Sequence, residues 1–209
     1  MKSKLVYSDD GKSLIKYCRS QEDCANELRV YRLKLAYTPE LIRIIDDRTI
    51  EIARIRGKTL SAELNFDPFR IGRMLSALHE AKSKDDLVLS HIDTNPRNYL
   101  IEDRSGDYYY IDFSESRYSY PEHDLINFLL FWAAILPNNK FINVMHDLLN
   151  GYNTTILFDR DREKSLFPEW IEIFDNRRKQ YGKTPCLNEE WQKRNRQYLR
   201  KNFYPFLHI

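Results

Sequence analysis

With 209 residues and 42% hydrophobic content, the chain is long enough to bury a sizeable core. Its 33 basic and 31 acidic side chains leave a net charge of +2, which excludes a global electrostatic pull toward nucleic acid or a membrane surface. Fourteen Tyr and eleven Phe exclude a disordered chain.

The first elements are two strands, 4–7 and 13–17, joined at the turn signal Asp9-Asp10-Gly11. Leu28, Tyr31 and Leu35 recur at helical spacing and predict a helix over 21–35. Two more strands, 41–45 and 49–54, flank Asp46-Asp47. Asp67-Pro68 then reads as a helix start, with Asp as cap and Pro in the first turn. Ile71, Met74, Leu75 and Leu78 form the apolar stripe of that helix. A hairpin follows, with Leu100-Ile101 and Tyr108–Ile111 on either side of the turn 102–107. The longest apolar run, Leu125 to Leu136, is twelve residues and includes Asn127. That is too short to span a bilayer and predicts a buried helix. Helices over 140–151, 167–182 and 188–202 complete the chain. The N-terminus carries no apolar core of signal-peptide length. Cys18, Cys24 and Cys186 form no metal or redox pair. Together these predict reduced thiols and a cytoplasmic location.

The chemistry is concentrated between the two central elements. His91-Ile-Asp93-Thr-Asn-Pro-Arg-Asn98 sets an Asp five residues before an Asn, and Asp112 follows fourteen residues after that. A lone His-x-Asp is commonly a helix cap or a surface turn. Here the three residues have the order and spacing of a kinase catalytic centre, with the hairpin returning Asp112 beside Asn98. Mg²⁺ prefers oxygen ligands, which suits Asn98 and Asp112. Asp93 is of the type that orients an attacking hydroxyl and takes its proton.

On these residues the chain resembles the protein-kinase-like superfamily, and within it the aminoglycoside/choline phosphotransferase branch. That branch typically writes its loop His-Gly-Asp-Leu-His-Pro-Gly-Asn; His91, Asp93, Pro96 and Asn98 are kept, and Ile92, Asn95 and Arg97 depart. The resemblance implies an α+β, two-lobed fold. Residues 1–56 would form a reduced β-rich N-lobe and 57–209 a helical C-lobe, together one kinase-like unit. It implies ATP and Mg²⁺ as cofactors, with Asp93 as catalytic base and Asn98 and Asp112 as metal ligands. Lys16 would contact the phosphates, held by Glu27 on the following helix, with Glu22 as the fallback. Backbone groups near Ala53 and Ile55 would face the adenine. Arg97 would add charge near the γ-phosphate or face solvent.

The Gly-rich phosphate cover of kinases is missing, since Gly11 is the sole glycine before Gly57. The stretch 9–13 reads as a hairpin turn rather than a reduced cover. Ser114 stands where kinases have the Gly of Asp-Phe-Gly. The short segment between Asp112 and Asp124 implies a constitutively assembled site. Asp124 would brace the catalytic loop, cap the buried helix, or do both, and His79 reads as a packed structural residue. The basic clusters Arg177–Lys179 and Lys193–Arg196 read as solvated helix faces, with an anionic surface as the alternative. The implied activity is phosphoryl transfer to a hydroxyl on a small molecule or sugar. A Ser/Thr protein kinase is the runner-up, and a pseudokinase that only binds nucleotide or partner is the reading from another class. No membrane partner is expected, and a nucleic-acid partner is not favoured.

Overall fold

A computed structural model describes residues 3–61, 65–152, 162–181 and 188–207. The N-terminal part is a four-stranded antiparallel sheet with one helix. Its strands are β1 (Lys4–Tyr7), β2 (Ser13–Tyr17), β3 (Leu41–Asp46) and β4 (Thr49–Ala53), in the order β1-β2-β4-β3. Between β2 and β3 lies α1 (Gln21–Tyr31), capped by the Ser20 hydroxyl, which accepts from the Asp23 amide at 3.1 Å. This helix stops four residues short of the predicted end. Leu33 and Lys34 turn back onto the Val30 and Tyr31 carbonyls, and Lys34 adopts a φ of 53°. A single strand, β1, precedes the strand that carries Lys16.

The crossing into the helical part contains a further strand. After Arg54–Arg56 the chain forms β5 (Gly57–Thr59), which pairs with β8 (Tyr99–Glu102). Gly57 is required there: a Cβ on it would lie 2.2 Å from the Ile101 carbonyl oxygen. The predicted hairpin forms as β8 and β9 (Tyr108–Tyr110), in the register Tyr99 opposite Tyr110. A second small sheet, unforeseen, joins β6 (Ser83–Lys84), β7 (Leu87–Ser90) and β10 (Arg117–Ser119).

Helix α2 (Pro68–Ala81) starts as read, with the Asp67 carboxylate accepting from the Phe69 and Arg70 amides at 3.0 and 3.3 Å. The apolar run becomes α3 (Pro121–Ala133), buried on nearly every face. Because α3 begins at Pro121, Asp124 sits inside its first turn and is not its cap. Then come α4 (Asn138–Gly151), α5 (Glu163–Tyr181) and α6 (Glu189–Leu207). Cys186 and the predicted helix end at Gly182 lie outside the described residues. One continuous apolar core runs from Cys24, Tyr31 and Ile50 through Leu75, Tyr99 and Phe113 to Trp132, Phe167 and Phe203. Among the described residues no helix is long and apolar enough to cross a membrane.

Candidate active site

A cleft of about 460 Å³ opens between the four-stranded sheet and the helical part. Of the residues singled out in the sequence, Lys16, Ala53, Ile55, Asp93, Arg97, Asn98 and Asp112 all line it. Glu27 stands behind Lys16 and is fully buried. Glu22 is exposed on the other side of α1, so the helix offers Glu27 as the partner of Lys16. The alternation of β2 places Lys16 inward, and the spacing of Cys24, Glu27, Val30 and Tyr31 puts the carboxylate in the middle of the buried stripe of α1.

The Lys16 ammonium contacts Glu27 Oε1 directly and donates to Asp112 Oδ1 at 2.8 Å. Burial alone would lower the Lys16 pKa, but Glu27 and Asp112 outweigh it and hold it above the ordinary lysine value. Burial pushes the Glu27 carboxyl up, against the pull of Lys16. A rise on Glu27 favours a neutral acid and a rise on Lys16 favours an ion. The direct contact and the second carboxylate at Asp112 decide for the charged pair. At Asp112 burial would also raise the pKa, yet Lys16 holds it below the usual carboxylate range.

Asp112 has a φ of 65°, in the left-handed region, at the end of the hairpin. Ile111 donates its amide to the Asn98 carbonyl at 2.9 Å, so the hairpin returns Asp112 beside the catalytic loop. Ser114, at the glycine position of Asp-Phe-Gly, donates its hydroxyl to Asp112 Oδ1 at 3.1 Å. Its carbonyl accepts from Asn26 of α1 at 2.9 Å, and the Ser116 hydroxyl donates to the Asn26 carbonyl at 3.1 Å. Phe113 packs edge-on against Tyr31 of α1, centroids 5.3 Å apart. These contacts dock α1 against the segment after Asp112 with no long loop to order. Part of the short segment between Asp112 and Asp124 forms β10.

The loop itself is held from beneath. Asp124 is fully buried and accepts the amides of His91 and Ile92 at 2.7 and 2.8 Å, and His79 Nε2 lies 3.0 Å from Oδ2. Ile92, where the branch writes Gly, has a φ of 70°. A β-branched residue is strained there by about 1–2 kcal/mol. Asp124 on its amide and Asn127, which donates to its carbonyl at 3.1 Å, hold it in place. Asn95 accepts the Arg97 amide at 3.0 Å and so caps the 3₁₀ turn Pro96–Asn98. That turn points Asn98 back, and its Nδ2 donates to the Asp93 carbonyl and to Asp93 Oδ2 at 2.8 and 3.0 Å. Both amide protons are thereby used, which leaves the Asn98 oxygen without a protein donor among the described residues.

The residues present fit Mg²⁺. The Asp112 side chain is 45% exposed, and with the Asn98 amide oxygen it offers hard ligands. Among the described residues no group of three or more His, Cys, Asp or Glu could hold a metal ion. One or two protein oxygens completed by substrate phosphates is the usual arrangement for this ion. By contrast the β1–β2 turn does not reach the cleft. Ser8 and the Lys12 amide both donate to Asp10 Oδ1, at 2.7 and 2.9 Å, and residues 9–11 are absent from the cleft wall.

Sequence reasoning missed several cleft residues: Asn127, Phe131, Phe174 and the pair Arg177 and Arg178. The arginines were read as a solvated face; both are half-buried in the cleft wall, and only Lys179 of that cluster is exposed. The available signal was Phe174, three and four residues before them, which fixes the inward face of α5.

The phosphotransferase enzyme family matches residues 35–166, from the end of the α1 region through the catalytic loop to the start of α5. The chain belongs to this family. As a member, it is a phosphotransferase, a kinase of hydroxyl acceptors. Among solved structures the kinase-like α+β fold recurs in the gentamicin complex of APH(2")-IIa, with 13% identity, a TM-score of 0.58, and coverage of 99% of this chain and 90% of that one. Choline kinase LicA from Streptococcus pneumoniae shares 12% identity at a TM-score of 0.58, over 98% of this chain and 90% of that one. Spectinomycin phosphotransferase APH(9)-Ia, in complex with ADP and spectinomycin, shares 14% identity at a TM-score of 0.60, over 94% and 84%. No curated protein matches the phosphotransferase in sequence.

Proposed function

We propose that this protein transfers the γ-phosphoryl group of ATP to a hydroxyl of a small molecule, in the cleft between its two lobes, which act as one unit. The observation that carries the reading is the convergence of Asp93, Asn98, Asp112 and Lys16 on one cleft. Leu14, Ile52, Leu100 and Ile111 give the cleft an apolar slot suited to a purine. The Ala53 amide is taken by the Glu40 carbonyl at 2.8 Å, which leaves the Ala53 carbonyl and the Ile55 amide as the backbone groups for the adenine edge. Lys16, fixed by Glu27, would position the phosphates. Asn98 and Asp112 would hold Mg²⁺, which neutralises charge on the phosphate oxygens. Asp93, steered by the Asn98 amide, orients the acceptor hydroxyl and takes its proton. The acceptor oxygen bonds to the γ-phosphorus, the bond from that phosphorus to the β–γ bridging oxygen breaks, and ADP leaves with the electron pair.

A module that binds nucleotide without transfer is the second reading. It is favoured by the self-contained β1–β2 turn, which offers no cover for the phosphates. ADP release with a panel of hydroxylated acceptors, alongside thermal shift with ATP, separates the two. Asp93→Asn is expected to lower ADP release by about 10²–10⁴-fold while leaving the ATP-dependent shift intact. Asp112→Asn is expected to remove the Mg²⁺-dependent part of the shift. A shift without any Asp93-dependent turnover would establish the binding module instead.

A further inference from the structure

Two adjacent residues of α1 act on the same carboxylate oxygen. Glu27 holds the Lys16 ammonium, which donates to Asp112 Oδ1 at 2.8 Å. Asn26, the residue before it, donates its side-chain amide to the Ser114 carbonyl at 2.9 Å, and the Ser114 hydroxyl donates to the same Oδ1 at 3.1 Å. The backbone around Ser114 is anchored as well. Phe113 is fully buried, and the Ser116 amide closes a turn onto the Phe113 carbonyl at 2.9 Å. Asp112 Oδ2 receives no protein donor among the described residues, and the half-exposed side chain lines the cleft with Asn98 and Ser114. The Asn98 amide oxygen is likewise without a donor, because both amide protons go to Asp93. Among the described residues the Ser114 hydroxyl has no partner besides Asp112.

We infer that Ser114 is a positioning residue for the metal ligand: its hydroxyl holds Oδ1 of Asp112 and leaves Oδ2 as the single oxygen for the ion, which favours Mg²⁺ over Ca²⁺. This rests on the phosphotransferase reading and adds what orients the ligand and selects the ion. Mg²⁺ is small and demands near-octahedral geometry, so it suits a carboxylate that offers one well-aimed oxygen. Ca²⁺ takes about six to eight oxygens in a looser shell and often binds both oxygens of one carboxylate. An Asp112 with Oδ1 already engaged is a poor ligand of that second kind. Lys16 does not secure the orientation by itself. Its ammonium is divided between Glu27 and Asp112, and in the proposed reaction it also meets the phosphates. A divalent cation on Asp112 repels the ammonium and leaves the neutral hydroxyl undisturbed. Glycine at this position would supply no such donor.

Calorimetric titration of a non-hydrolysable ATP analogue into the whole chain tests the inference, at a series of Mg²⁺ or Ca²⁺ concentrations and in EDTA. The wild type is expected to reach half-maximal binding at a lower concentration of Mg²⁺ than of Ca²⁺. Ser114→Ala is expected to raise the Mg²⁺ concentration needed by about tenfold and the Ca²⁺ concentration by less, so that the preference narrows. Ser114→Thr keeps the hydroxyl and is expected to recover most of the Mg²⁺ dependence. Binding in EDTA is expected to be the same in all three proteins, and unchanged far-ultraviolet circular dichroism shows that the variants fold. A wild type that does not prefer Mg²⁺, an unchanged Mg²⁺ dependence in Ser114→Ala, an equal loss for both ions, a loss that extends to EDTA, or a Ser114→Thr as weak as Ser114→Ala overturns the inference and leaves the phosphotransferase reading standing. Absence of any Mg²⁺-dependent binding in the wild type instead removes the phosphotransferase reading, and this inference with it.

Discussion

At the residue scale, Asp124 connects more of the site than any residue that touches the cleft. Its carboxylate accepts two backbone amides of the catalytic loop and lies against His79, whose other ring nitrogen is 2.5 Å from the Tyr152 hydroxyl. Replacing it with Asn turns one acceptor oxygen into a donor aimed at donors. Hydrogen bonds to a charged group contribute ~1.5–3 kcal/mol each, so Asp124→Asn should destabilise the fold by about 3 kcal/mol. Burial would raise this carboxyl, but the His79 hydrogen bond together with the electrostatic pull of His79, His91 and His123 outweighs it and holds the group below the usual carboxylate range. A depressed folded pKa stabilises fully above the unfolded value and loses that contribution as pH falls through the folded one. The gap between wild type and variant, measured by urea unfolding at about pH 7 and about pH 3, should therefore narrow in acid. A constant gap would mean that the carboxylate contributes by shape alone.

At the scale of elements, the position of His79 depends on how closely α2 approaches α4. A Cβ on Gly72 would lie 2.1 Å from the Leu148 carbonyl oxygen, and one on Gly151 would lie 2.0 Å from that of Phe69. These two glycines let the backbones touch, and that contact sets His79 and Tyr152 face to edge, ring centroids 5.4 Å apart. Overpacking a close crossing costs ~1–3 kcal/mol, so Gly72→Ala should lower the urea midpoint accordingly, although Ala is the better helix former. A midpoint that rises would show that helix propensity outweighs the steric clash. The stripe of α2 was readable from Ile71, Met74, Leu75 and Leu78, because a period of 3.6 is local. The crossing was not, because Gly72 and Gly151 lie far apart in the chain and each alone resembles a weak point in a helix.

At the scale of the whole molecule, Lys16 joins the two lobes. It sits on the N-terminal sheet, is buried against Glu27, and reaches Asp112 in the helical part. Removing the ammonium strands the fully buried Glu27 carboxylate. Lys16→Met should then cost about 3 kcal/mol and abolish the thermal shift produced by ATP with Mg²⁺. The double variant Lys16→Met with Glu27→Gln should recover much of the stability, since no buried charge is left over, yet remain blind to nucleotide. Recovery of the nucleotide shift in the double variant would place phosphate binding elsewhere in the cleft. The Asp112 end of the pair is half-exposed and contributes less to stability than the Glu27 end.

The sequence by itself determined the parts whose signals are local. Alternation and turn residues placed β1 to β4, Asp67-Pro68 opened α2, and the spacing of Asp93, Asn98 and Asp112 singled out three residues that the fold brings to one cleft. The pairing of Lys16 with Glu27 was expected from the resemblance alone; the stripe read from Leu28, Tyr31 and Leu35 did not include Glu27, which the structure places on the buried face with Cys24, Val30 and Tyr31. Tertiary structure alone decided what depends on residues meeting from distant elements. It paired β5 with the hairpin, moved the start of α3 ahead of Asp124, and gave Ser114 a hydrogen bond to Asp112. It also turned Arg177 and Arg178 from an apparent solvent face into a wall of the cleft. Charge along a helix reports composition but not direction; Phe174 was the local hint, and its packing against Phe131 turns that face of α5 inward.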